Sequence, residues 1–70
     1  MADPGAAFTN AVRQYKAGRF SEAAKGFESL AVESVKNPYL YYNIGNACLK
    51  AGDPGRAVLW YERAKALIAQ

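Results

Sequence analysis

The sequence has no histidine and only one cysteine, Cys48, among its 70 residues. A lone cysteine cannot close an internal disulfide. Without histidine it has no base to activate it and no companion ligand at zinc. Cys48 therefore reads as a small buried hydrophobe on a helical stripe. Carboxylates are also few: Asp3, Glu22, Glu28, Glu33, Asp53 and Glu62. No two of them stand paired for acid–base work. These absences argue against an enzyme, a metal site and a cofactor. No apolar run approaches the roughly 20 residues needed to cross a bilayer. The stretch from Met1 to Gly5 lacks the basic and apolar regions of a signal peptide. Membrane association is expected only through parts of a longer protein.

The net charge is +3. The basic residues are scattered singly, with acids between several of them. A nucleic-acid binder gathers its cations on one face, so no nucleic-acid partner is expected. Seventy residues make one small domain. A chain this short buries only about 60% of its unfolded surface, so its stability is marginal unless it associates.

Proline is rare too, and each one follows a capping residue: Asp3-Pro4, Asn37-Pro38 and Asp53-Pro54. Asp or Asn at an N-cap accepts a hydrogen bond from an orphan N–H. Proline at the first helical position wastes no donor. Gly18 and Gly52 follow helical stretches and suit the left-handed C-terminal cap. The pattern predicts four helices, over about 4–17, 20–35, 38–51 and 54–69. Inward stripes at i, i+3, i+4, i+7 spacing are Phe8, Ala11, Val12 and Tyr15 in the first. The second has Phe20, Ala23, Ala24, Phe27, Leu30 and Ala31, with Glu22, Lys25, Ser29 and Glu33 facing away. The third has Leu40, Tyr41, Ile44, Ala47 and Cys48. The fourth has Ala57, Tyr61, Ala64 and Ile68. Connections of two or three residues force antiparallel neighbours. The expected centre of the core is Phe27, Tyr41, Ile44, Cys48, Ala57, Tyr61 and Ala64.

The chain also repeats itself. Lys16-Ala17-Gly18 and Lys50-Ala51-Gly52 stand 34 residues apart. At the same offset Pro4 matches Pro38, Phe8 matches Tyr42, Ala23 matches Ala57, Phe27 matches Tyr61 and Glu28 matches Glu62. A 34-residue period of paired helices is the signature of one repeat architecture. The second copy carries Tyr41, Asn43-Ile44-Gly45-Asn46-Ala47, Gly52-Asp53, Ala57, Tyr61 and Ala64. In these residues the chain closely resembles the tetratricopeptide repeat. Two repeats are read, a degenerate one over about 4–37 and a clear one over about 38–70. The first has Ala11, Gln14 and Leu30 where the second has Gly45, Cys48 and Ala64, and Ala69 stands where the family usually has proline. Gly45, Ala57 and Ala64 leave space for large rings of the facing helix. The run from Tyr41 through Ala47, with Gly52 to Ala64, is also similar to the repeats of BatE-type proteins of bacterial aerotolerance operons. That narrower likeness implies a periplasmic or membrane-associated setting; without it the compartment would be cytoplasmic.

The resemblance implies an all-α fold of two stacked helical hairpins and a non-enzymatic scaffold that binds a protein or peptide segment in a concave groove. Two asparagines in mid-helix ask for a reason, because their amides compete for backbone. Tyr39, Asn43, Asn46 and Lys50 lie on the side of the third helix away from its apolar stripe. With Tyr42 and with Lys16 of the first helix, they form the expected peptide-binding set. The alternative for the asparagines is an amide bonded within the fold. The first helix limits this groove, because its one apolar stripe is expected to be spent on the core. A family subclass clamps a terminal carboxylate with lysines, but Phe8 and Tyr42 occupy those positions, so no such clamp is expected. On the fourth helix, Leu59, Trp60, Arg63 and Leu67 flank the inward stripe. An uncovered Trp–Leu patch there would join two copies into a homodimer, by contact through this helix or by exchange of the terminal helices between chains. That gives a second reading: a fragment of a longer array that self-associates without its own ligand.

Overall fold

The computed structural model describes residues 3–32 and 36–70. The expected positions of Glu33 and Val35 lie outside the described residues. Four helices follow in order: α1 (Pro4–Lys16), α2 (Phe20–Val32), α3 (Pro38–Lys50) and α4 (Pro54–Ile68). The starts of α1, α3 and α4 are those marked by the capping residues. The Asp3 carboxylate accepts from the Gly5 N–H at 3.1 Å. The Asn37 side chain accepts from Tyr39 N–H at 2.8 Å, and Asp53 from Arg56 N–H at 3.2 Å. Such a cap stabilises a helix by about 1 kcal/mol.

The stops of α1 and α3 are the same motif placed 34 residues apart. Gly18 and Gly52 have φ of 82° and 84°, the left-handed region that favours glycine. Arg19 N–H returns to the Gln14 carbonyl at 2.8 Å, and Gly18 N–H to Tyr15 at 3.0 Å. Asp53 N–H returns to Cys48 at 2.9 Å, and Gly52 N–H to Leu49 at 3.1 Å. These paired bonds satisfy carbonyls that a helix end leaves orphaned.

Each helix packs on the next in sequence, α1 on α2, α2 on α3 and α3 on α4. The result is two stacked antiparallel hairpins. The molecule measures 30 × 28 × 15 Å. The short dimension is about two packed helices thick, at 8–10 Å between axes. A slab this thin keeps only a narrow core dry. That core runs through Ala11, Ala23, Ala24, Phe27, Leu30, Leu40, Ile44, Ala47, Cys48, Ala57, Trp60 and Ala64. Burial pushes the Cys48 thiol pKa above its ordinary value.

The structure departs from the sequence pattern at the ends and flanks of α4. Tyr41 and Tyr61 are only half-buried and form the rim of the core rather than its centre. Ile68 is 67% exposed instead of inward. It falls in the last turn of α4, which at 15 residues outruns the 13 of α3. Trp60 is the larger correction. It is 8% exposed and belongs to the core, not to an uncovered patch. Its ring meets Tyr41 edge-on at 5.1 Å. The Arg63 guanidinium covers it at 4.6 Å, and its Nε1–H donates to Glu28 Oε2 at 3.1 Å. Of the expected self-association set, Leu59 and Arg63 are exposed and Leu67 is half-buried.

Glu28 also accepts from Arg56, in an ion pair that joins α2 to α4 across the two hairpins. The hydrogen bond to Glu28, and then its charge, push the Arg56 pKa further up. Replacing Glu28 with Ala leaves the Trp60 N–H and the Arg56 guanidinium without their acceptor. Urea denaturation should show a loss of about 1–2 kcal/mol. Arg56→Ala should lose less, since half of that side chain is in water. Equal losses would mean that Trp60 does not depend on the carboxylate.

Candidate functional site

α1 and α3 flank a shallow cleft whose floor is Phe27 of α2. Its lining is Val12, Tyr15, Lys16, Phe27, Asn43 and Asn46. The heptad-like spacing of α3 makes this possible. Leu40, Ile44, Ala47 and Cys48 are buried, which turns Tyr39, Asn43, Asn46 and Lys50 about a third of a turn away from the core. The structure thus brings Lys16, Asn43 and Asn46 into one cleft. Its volume is about 160 Å³, below the roughly 300 Å³ at which small-molecule pockets begin. A side chain or two of a passing segment fits such a place better than an enclosed ligand.

The other expected residues fall around the cleft rather than in it. Tyr39 is 80% exposed on the surface of α3. Lys50 stands over the Phe20 ring at 5.9 Å, and Phe20 in turn meets Tyr15 edge-on at 5.1 Å. Lys16 lines the cleft, and Lys50 stands beside it over the Phe20 ring that meets Tyr15. Tyr42 lies elsewhere. Its ring rests on Tyr61 at 5.3 Å, in a second cleft shared with Glu62, Lys65, Ile68 and Ala69.

The two asparagines differ. Asn46 Oδ1 accepts a hydrogen bond from the Tyr61 hydroxyl at 2.6 Å. Its amide is thus held within the fold, which was the alternative reading. Burial raises the Tyr61 pKa, with smaller additions from Tyr15, Tyr42 and Cys48, so the phenol keeps the proton it donates. Asn43 is half-buried against the cleft. Among the described residues its side chain makes no hydrogen bond.

The expectation that α1 gives its whole stripe to the core is corrected. Only Ala11 of that stripe is fully buried, while Val12 and Tyr15 are half-buried and line the cleft. Phe8 is exposed, with its ring centroid 5.5 Å from that of Phe27. The signal for Val12 and Tyr15 was present, since a stripe wider than its partner helix can cover faces two surfaces. Among the described residues no group of three His, Cys, Asp or Glu could hold a metal. No described helix is long and apolar enough to cross a membrane.

Residues 38–68 match the family model of the tetratricopeptide repeat. The match covers α3 and α4. Neither the curated proteins nor the solved structures compared gave a match. Repeats of this family are generally non-enzymatic modules that mediate protein–protein interaction and scaffolding.

Proposed function

We propose that the protein is a scaffold or assembly module that holds a protein segment in the cleft between α1 and α3. The observation that carries this reading is Asn43. Its amide offers two donors and an acceptor toward the cleft, and among the described residues nothing in the chain uses them. An extended segment presents both partners in its backbone. Tyr15, half-buried at the cleft, adds ring area beside it. Lys16 and Lys50 favour a segment with an acidic residue near them. With two hairpins the contact is short, so affinity is expected to be micromolar or poorer, for want of buried hot-spot area. If the likeness to BatE-type proteins holds, the ligand is to be sought among the neighbouring proteins of the same operon.

The test uses a library of short acidic peptides, with amide chemical shifts mapping the bound one. Shifts should cluster on Tyr15, Lys16, Asn43 and Asn46. Asn43→Ala should weaken binding by about 1 kcal/mol and leave the melting temperature nearly unchanged. Shifts gathered on Glu22, Lys25 and Ser29 would place the working face on α2 and refute the assignment.

A further inference from the structure

Positions 34 apart hold equivalent places in the two hairpins, so the burial of α2 is a template for α4. Ala23 and Ala57 are both buried, as are Leu30 and Ala64. This is the side each helix turns to its own hairpin partner. On the other side the two helices part. Ala24 is buried, yet its counterpart Val58 is 59% exposed. Glu28 and Ala31 are half-buried, while Glu62 and Lys65 are exposed. In α2 this side is covered by α3, with Arg56 and Trp60 of α4 over Glu28. In α4 it is bare, and Tyr61, Glu62, Lys65 and Ile68 share the second cleft along it.

The opposite end of the slab is different in kind. The face by which α3 docks is Leu40, Ile44, Ala47 and Cys48, all buried. Its counterpart on α1 is Ala6, Asn10, Arg13 and Gln14. Arg13 Nη1 donates to Asn10 Oδ1 at 3.4 Å in solvent. A head-to-tail stack would press this polar face onto Val58, Tyr61 and Ile68 of α4 and leave donors without acceptors there. The bare side of α4 instead complements itself. Val58, Tyr61, Glu62, Lys65 and Ile68 follow one helical face. Turned antiparallel about a two-fold axis between Glu62 and Lys65, that face sets Glu62 against the partner's Lys65 twice. Val58 then meets the turn that carries the partner's Ile68. Among the described residues neither Glu62 nor Lys65 is in an ion pair.

We infer that the outward side of α4, centred on Val58, Glu62 and Lys65, is the contact surface for a second copy of this chain. It is a different face from the one carrying Trp60 and Arg63, and it lies outside the α1–α3 cleft. One helix on one helix falls near or below the roughly 1,200 Å² of small stable interfaces, so the dimer is weak, with Kd on the order of 10–100 µM.

Sedimentation equilibrium of the intact chain, from about 10 µM to about 1 mM, tests this. The average mass should climb from 7.6 kDa toward twice that value. Val58→Lys, at an exposed position, should keep the thermal melt and hold the chain monomeric. Glu62→Lys should weaken association about tenfold by placing like charges opposite each other. Adding Lys65→Glu to that variant should restore it. Arg13→Glu on α1 should change nothing. A chain that stays monomeric at the top concentration overturns the inference. So does association that ignores Val58→Lys, that the double charge exchange fails to rescue, or that Arg13→Glu abolishes. Peptide binding at Asn43 is read separately, so neither result decides the other.

Discussion

Trp60→Ala is expected to leave the chain largely unfolded at room temperature. Truncating a buried tryptophan costs about 3–5 kcal/mol. A core of this size rarely supplies more than about 3–5 kcal/mol of net stability. Trp60 also does more than fill space. It meets the Tyr41 ring, lies under Arg63 and donates to Glu28. Its loss removes packing within the second hairpin and the bond to the first at once. Far-ultraviolet circular dichroism with temperature provides the readout. Trp60→Phe separates the two contributions, since it keeps a ring and drops the donor. That variant should melt cooperatively but lower, with the Arg56–Glu28 pair still in place. If Trp60→Ala melts with the parent, the ring is not part of the core.

Gly45→Leu should be nearly as damaging, for the opposite reason. A Cβ at Gly45 would stand 2.5 Å from Tyr61 Cε1 and 2.6 Å from Cδ1. Those are ring atoms, and the ring cannot swing aside freely. Its hydroxyl is bonded to Asn46, and its face rests on Tyr42. Overpacking of this kind costs about 1–3 kcal/mol. Gly45→Ala should also destabilise, although alanine is the better helix former by roughly 0.5–1 kcal/mol. Truncating Tyr61 as well should return part of the loss. A double-mutant cycle in urea should give a coupling of at least about 1 kcal/mol. Strict additivity would show that α3 and α4 do not meet at this point.

The contrast between these two positions shows how far the sequence could be read. Caps and stops were legible because they are local. Asp53 reaches an N–H three residues on, and Gly52 needs only its own φ. The inward stripes of α2 and α3 were legible because both helices are packed on two sides, which makes their patterns strong. Gly45 was legible as a close approach because a mid-helix glycine has few other reasons to persist. Trp60 was not. It and Tyr61 stand side by side on α4, and spacing alone cannot say which one faces the neighbour. The deciding partner, Glu28, is 32 residues away. Ile68 shows the same limit along the other coordinate, since periodicity gives an angle around the axis and not the height at which a neighbour ends. Asn46 looked available for a ligand because the hydroxyl that occupies it belongs to another helix.

The bridge from Glu28 to Arg56 and Trp60 has a mechanical consequence. It fastens the hairpins through α2 and α4, on the side away from the α1–α3 cleft. The two hairpins are thus joined twice, by the packing of α2 on α3 and by this polar clasp behind the cleft. A substitution that loosens only one of the two joints leaves the hairpins attached through the other.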